Sequence, residues 1–112
     1  MRPPAPPDTR LVQAAADPIR MAILRTLADL GETCACDLAQ PGISQPTLSH
    51  HLRVLRESGW VTGERRGTWI WYTIRPDAVR RFQHIAIRLD GSSPVLRQVP
   101  PRRLPVLSGS DA

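Results

Sequence analysis

The fold is decided by residues 44–61, which have the sequence SQPTLSHHLRVLRESGWV. Ser44 is a residue type that caps helix N-termini, and Pro46 is tolerated within a first helical turn. The apolar residues that follow at helical spacing are Leu48, Leu52 and Leu55. Because Gly59 then interrupts the pattern, the stretch predicts one amphipathic helix that begins at Ser44 and packs a leucine stripe against a core.

Upstream of this helix the sequence predicts three further helices. Residues 11–16 form a short one, and Asp17 and Pro18 are the N-cap and first residue of the next. Residues 32–39 then have room for about two helical turns before a Pro-Gly pair. A short helix, a tight turn and the longer helix together predict a helix-turn-helix motif.

Downstream the pattern changes from helical spacing to alternation. Residues 60–65 and 68–74 predict two strands, joined by a turn at Arg66 and Gly67 in which the glycine supplies a positive φ. Pro76 begins a last helix with one apolar face. The predicted order is α-α-α-α-β-β-α, a mainly α fold with a β-hairpin wing, that is, a winged helix-turn-helix.

The two ends of the chain differ in composition from the middle. Eight of the twelve prolines lie between residues 3 and 7 or between 94 and 105. We therefore expect mobile tails at residues 1–8 and 92–112, and one DNA-binding and dimerisation domain at residues 9–91. A domain of that size buries only about 60% of its unfolded surface, which favours a homodimer.

Charge and cysteine content restrict the class of protein. The net charge is +5, and residues 44–75 carry five arginines against two acidic residues, which indicates a surface that faces a polyanion. The chain contains no apolar run of about 20 residues and no signal peptide, so we expect a cytoplasmic protein without membrane contact. Cysteines are reduced in that compartment, and Cys34 and Cys36 are therefore expected to act as ligands or sensors rather than as a structural bridge.

The predicted recognition helix presents polar residues on the side opposite its leucine stripe. Such a helix enters the major groove with its amino end first, and the candidates to contact bases are Gln45, Thr47, Ser49 and His50. The candidates to contact phosphates are Ser44, Arg53, Arg65 and Arg66. Ser44 would cap the helix with or without DNA, and the two wing arginines could equally be solubilising charges. His51 lies beside the leucine stripe, so we expect it to pack inside.

Three motifs resemble those of the ArsR/SmtB family of metalloregulators. DPIR at residues 17–20 is similar to the start of the family's second helix, residues 44–61 resemble its recognition helix, and ERRGTWIWY at residues 64–72 resembles its wing. The resemblance covers about residues 10–90 with the motifs in the same order. It implies a homodimer, joined through the first and last helices, that binds double-stranded operator DNA and blocks transcription until an inducer binds.

TCACDL at residues 33–38 resembles the Cys-x-Cys-Asp-Leu box that this family uses for thiophilic metals and metalloids. The resemblance implies that As(III) or Sb(III) is the inducer, bound by Cys34 and Cys36, with no prosthetic group; soft metalloids do prefer thiolates. Ala39 stands where some relatives have a third cysteine, and the amino-terminal arm has none, so one chain cannot supply a tetrahedral thiolate site. The last helix offers only His84, which excludes the family's other metal site.

The spacing of the two cysteines makes a geometric demand. On an α-helix, residues i and i+2 point about 200° apart, whereas in extended backbone they point the same way. A shared ion therefore requires non-helical backbone at residues 33–36. We expect a metalloid bound there to distort the start of the helix-turn-helix and re-aim the recognition helix.

Three other functions compete with that of a metalloid-responsive repressor. The same cysteine pair could sense redox change or reactive sulfur in a DNA-binding repressor. A dithiol reductase would normally need Cys-x-x-Cys in a βαβ unit, which this sequence lacks. A winged helix used only for protein contacts would fail to bind DNA at low salt. The sequence contains no nucleophile–base pair and no phosphate loop, so we predict that the protein is not an enzyme.

Overall fold

The computed structural model of the chain describes residues 6–90. Its elements are α1 (Pro7–Ala15), α2 (Pro18–Leu30), β1 (Thr33–Cys34), a 3-10 helix (Ala35–Leu38), α3 (Gln45–Glu57), β2 (Val61–Arg66), β3 (Trp69–Ile74) and α4 (Pro76–Asp90). This architecture confirms the predicted winged helix-turn-helix, with one additional short strand. Of the tails predicted at residues 1–8 and 92–112, residues 1–5 and 92–112 lie outside the described residues.

The first helix begins earlier than the sequence predicted. α1 includes Pro7 and Asp8, which the proline-rich composition places in the amino-terminal tail. Proline is favourable at a first helical position because its φ is already helical, and an acidic residue in the first turn interacts well with the helix dipole. Asp8 also forms an ion pair with Arg81 of α4, which ties the start of α1 to the domain.

Residues 32–39 do not form the predicted α-helix. Thr33 and Cys34 pair with β3 instead, in the register Thr33↔Tyr72 and Cys34↔Trp71, and only the four residues after them are helical, as one 3-10 turn. Thr33 is β-branched and buried, and pairing at the sheet edge satisfies backbone groups that a two-turn helix would leave open at both ends. The helix-turn-helix therefore begins with a 3-10 helix.

The wing is the hairpin of β2 and β3, and with β1 it makes a three-stranded antiparallel sheet in the order β1-β3-β2. Arg66 pairs with Trp69, so the turn consists of Gly67 and Thr68 and lies one residue later than predicted. Gly67 has the expected positive φ, 64°. The two-residue loop follows from the register, which the sequence alone did not determine.

The core lies between the helices and the base of the wing, and its most deeply buried side chains are Ile23, Leu55 and Val61. Trp60 connects three elements there. Its indole N–H donates to the Leu11 carbonyl at 2.8 Å, and its ring lies 5.5 Å from that of Phe82 between centroids. The tryptophan thereby fixes α1 and α4 against the start of the wing. Between residues 6 and 90, no helix has the length and apolar character needed to cross a membrane.

Candidate nucleic-acid interface and cysteine pair

α3 has the local structure of a recognition helix. The Ser44 hydroxyl accepts the backbone N–H of Thr47 at 3.3 Å, as expected for an N-cap, and it also donates to the Thr47 side chain at 2.9 Å. The leucine stripe is buried as predicted. All eight candidate DNA contacts are exposed: Ser44, Gln45, Thr47, Ser49, His50, Arg53, Arg65 and Arg66. The structure therefore leaves one polar surface, made by the outer side of α3 and by the wing, free to meet DNA.

The inner side of α3 is anchored to the start of α2 by a polar cluster of Asp17, Arg20 and His51. The Asp17 carboxylate accepts the backbone N–H groups of Ile19 and Arg20 at 2.9 and 3.0 Å. Arg20 places Nη1 3.1 Å from His51 Nδ1, and Nε donates to the Ala14 carbonyl at 2.7 Å. Since a guanidinium only donates, His51 Nδ1 accepts, and the ring is neutral.

The electrostatics of this cluster favour the neutral imidazole. Burial lowers the pKa of His51; Asp17, 3.8 Å away, opposes that effect, and Arg20 and His50 add to it. The hydrogen bond from the Arg20 backbone is the main cause that lowers the pKa of Asp17. The sequence predicted that His51 packs inside, and it does, but the contact with Arg20 was missed.

The two wing arginines have different surroundings. Within residues 6–90, Arg65 forms no ion pair, whereas Arg66 binds Glu32 through two hydrogen bonds of 2.8 and 2.7 Å and Glu64 through one of 2.8 Å. The Arg66 guanidinium carbon also lies 5.5 Å from the centre of the Trp71 ring. These carboxylates raise the pKa of Arg66. No pattern in the sequence predicted that Arg66 would contact Glu32.

The two cysteine sulfurs lie together at the start of the helix-turn-helix. The structure joins Cys34 and Cys36 as a disulfide, with Cα atoms 5.2 Å apart, so the expectation of two free thiols does not describe this state. The Cys36 backbone N–H donates to Cys34 Sγ at 3.3 Å, and Cys34 is buried while Cys36 is exposed. The backbone is non-α-helical there, as a shared ligand requires.

The described residues contain no cluster of three or more His, Cys, Asp or Glu side chains that could hold a metal ion. A ligand shared by the two cysteines would thus take two atoms from this part of the chain and the rest from elsewhere.

Comparison with known proteins identifies the family to which this chain belongs. Residues 17–62 match the model of the bacterial regulatory protein arsR family. An uncharacterised HTH-type transcriptional regulator of Methanocaldococcus jannaschii is 40% identical over 76 residues, which cover 64% of this chain and 82% of that protein. The chain belongs to the ArsR family. Like its relatives it is a winged-helix transcriptional regulator, as the sequence predicted, and not an enzyme.

Two further ArsR relatives bear on function and assembly. The arsenical resistance operon repressor of Escherichia coli is 41% identical over 68 residues, which cover 60% of this chain and 58% of that repressor. The match therefore spans less than two thirds of that relative's length. A homodimeric winged helix-turn-helix DNA-binding domain of Mycobacterium bovis, described as a possible ArsR-family regulator, has a TM-score of 0.60 at 28% identity, over 82% of this chain and 93% of that domain.

This ArsR-family chain has an apolar surface where α1 and α4 meet. Val12, Ile87 and Leu89 are 39%, 52% and 82% exposed, which is unusual for large hydrophobic side chains on adjacent helices. A groove lined by Val12, Ile85 and Leu89 runs between the two helices, with a volume of about 400 Å³. The sequence predicted an apolar face on the last helix, and this surface extends it to α1.

Proposed function

We propose that this chain is a repressor that binds operator DNA as a homodimer and is released when As(III) or Sb(III) binds Cys34 and Cys36. The observation that carries the proposal is the placement of both sulfurs side by side, in non-α-helical backbone, between a strand of the wing sheet and the helix-turn-helix. The arsenical resistance repressor named above supports the choice of inducer.

The ligand chemistry balances with two cysteines and one outside ligand. With the pair reduced to two thiols, arsenous acid exchanges two hydroxyl groups for two sulfurs: two As–S bonds form, two As–O bonds break, and the two hydroxides leave as water with the two thiol protons. The third position keeps hydroxide or takes an external thiol. Once the disulfide is reduced, the N–H of Cys36 that donates to Cys34 Sγ would stabilise negative charge on that sulfur and favour it as a ligand. Cys36 is exposed, which gives the metalloid access.

The DNA contacts divide into two kinds. We assign base contacts to the exposed residues near the amino end of α3: Gln45, Thr47, Ser49 and His50. We assign phosphate contacts to Ser44 and Arg53 on α3 and to Arg65 and Arg66 on the wing. Two copies joined through the apolar surface of α1 and α4 would present two such helices, about 34 Å apart, to successive major grooves.

A gel shift on the protein's own upstream DNA, with and without arsenite, tests the proposal. Cys34→Ser and Cys36→Ser should each leave a competent repressor that no longer responds, because neither variant can chelate. Wild-type protein should lose affinity by about five- to 150-fold, the usual range for coupling between two sites. The cysteine pair is not the sensor if either serine variant is released at the same arsenite concentration as wild type.

The joined sulfurs favour one second candidate, a thiol redox sensor that uses the same pair. Hydrogen peroxide would oxidise the two thiols to the disulfide, accept their two electrons and two protons, and leave as two water molecules. Anaerobic titration with arsenite, in parallel with peroxide treatment, separates the candidates. Release by peroxide alone supports the redox sensor, and anaerobic release by arsenite supports the metalloid sensor.

A further inference from the structure

The segment that carries the cysteine pair also holds the wing. β1 is an edge strand of the wing sheet, with Cys34 opposite Trp71, and Trp71 in turn opposite Glu64. Two residues before Cys34, the Glu32 carboxylate binds the Arg66 guanidinium through both of its oxygens. We call Glu32, Glu64 and Arg66 the wing cluster. It joins residues 32–36, which we call the sensor segment, to the tip of β2 across 34 residues of sequence.

These side chains share one face of the sheet. Residues directly opposite in neighbouring strands lie on the same face, which groups Cys34, Trp71 and Glu64. Arg66 follows Glu64 by two positions on β2, so it also faces that way, and its guanidinium lies over the Trp71 ring. The buried cysteine therefore lies on the same face of the sheet as Glu64 and Arg66, with Trp71 between them.

The wing cluster cannot hold a DNA phosphate well while it is assembled. It carries one positive and two negative charges, so its net charge repels a phosphate, and the two carboxylates occupy three of the five N–H donors of Arg66. The side chains of Arg66 and Glu32 are 46% and 39% exposed, so the pair is screened by water and able to exchange partners. Arg66 thus has two alternative anionic partners, Glu32 and the DNA backbone.

We propose that Glu32 is the residue that transmits the state of the cysteine pair to the wing, by withdrawing Arg66 from DNA when the two sulfurs are held together. This inference rests on the proposed function, because it takes the cysteine pair as sensor and the wing as a phosphate contact. The joined sulfurs hold the segment before the 3-10 helix in the geometry in which Glu32 reaches Arg66. When the sulfurs are separate, the segment relaxes and Arg66 binds phosphate.

Glu64 offers a matched control for Glu32. Both carboxylates bind Arg66, but Glu64 lies on β2 with Arg66 and moves with it, whereas Glu32 belongs to the sensor segment. Glu64→Gln should therefore strengthen DNA binding equally in the free and inducer-bound states. Glu32→Gln should strengthen it chiefly in the inducer-bound state and so reduce the response.

The experiment is fluorescence anisotropy on the upstream DNA with the full chain in three states: reduced, arsenite-loaded and peroxide-oxidised. In Glu32→Gln, affinity of the arsenite-loaded and oxidised states should rise about two- to fivefold, the scale of one exposed ion pair. The slope of log affinity against log salt should steepen by about one unit per protomer in those states, because each Arg66 regains a phosphate. In a chain that already carries Arg66→Gln, adding Glu32→Gln should not change how DNA affinity responds to arsenite or peroxide.

A separate measurement of arsenite binding distinguishes failure of this inference from failure of the proposed function. Arsenite binding is measured directly, by thiolate–arsenic absorbance, in wild type and Glu32→Gln. If wild type does not bind arsenite, the proposed inducer is wrong, and the oxidised state then decides the role of Glu32. The response is the ratio of DNA affinity in the reduced state to that in the arsenite-loaded or oxidised state. If Glu32→Gln shows the same ratios and the same salt slopes as wild type, Glu32 does not transmit the signal. Thermal melting of both glutamine variants checks that the fold is intact.

Discussion

Replacement of Asp17 by alanine tests the anchor that holds the recognition helix. The Asp17 carboxylate accepts two backbone N–H groups of α2, and its side chain is only 28% exposed. Loss of an N-cap side chain costs about 0.5–2 kcal/mol of stability. We expect about 1–2 kcal/mol for Asp17→Ala, because two hydrogen bonds are lost and the Arg20–His51 pair loses a neighbouring carboxylate.

The assay is urea unfolding at fixed protein concentration, since a dimer's apparent stability depends on concentration. Asp17→Asn is the control: asparagine caps nearly as well, so its cost should stay below about 0.5 kcal/mol. Equal losses of stability in Asp17→Ala and Asp17→Asn would show that the capping hydrogen bonds of Asp17 do not stabilise the fold. The folded pKa of Asp17 lies below its ordinary 3.8, so its stabilisation is present above that pH and is lost as pH falls through the folded value. The difference between wild type and Asp17→Ala should shrink accordingly in acid.

Four further predictions concern DNA, assembly and pH. Arg65→Ala should weaken binding to operator and random DNA alike and reduce the salt slope by about 0.9 per lost phosphate contact; unchanged slopes would remove Arg65 from the interface. Gln45→Ala or His50→Ala should instead erode preference for the operator by about 1–3 kcal/mol, and equal losses on random DNA would contradict base contact. Leu89→Asp should give monomers in sedimentation, because it charges the apolar surface; an intact dimer would place the interface elsewhere. The pKa of His51 is lowered in the folded protein, so its contribution to stability is present above pH 6.5 and is lost as the pH falls below that value. If the difference in unfolding free energy between wild type and His51→Gln did not change with pH, this reasoning would be wrong.

The helix starts were predictable because their signals are local. Asp17 with Pro18, and Ser44 with Pro46, cap and begin helices within three residues of sequence. The exposed side of α3 followed from helical geometry once its leucine stripe was identified. The same geometry indicated that His51 would be buried.

The remaining features depend on contacts between distant residues. β1 contains two residues, too few for any periodic pattern, and it exists because β3 lies beside it about 38 residues later in the sequence. The hairpin turn was misplaced by one residue because strand register is set by pairing partners. The contacts of Arg20 with His51 and of Arg66 with Glu32 span 31 and 34 residues, and no local pattern specifies either one.

These contacts also bear on how an inducer would release DNA. We expected a bound metalloid to re-aim the recognition helix, but α3 is held on its inner side by three buried leucines and by His51. Displacing it would disturb close-packed side chains, including the fully buried Leu55, at a cost of several kcal/mol. Beyond Val61, by contrast, β2 is exposed throughout, and its tip is attached to the sensor segment through Arg66. A coupling of about 1–3 kcal/mol is enough to change an exposed ion pair and a strand edge, and too small to repack a core. If the cysteine pair is the sensor, we therefore expect it to act on the wing rather than on α3.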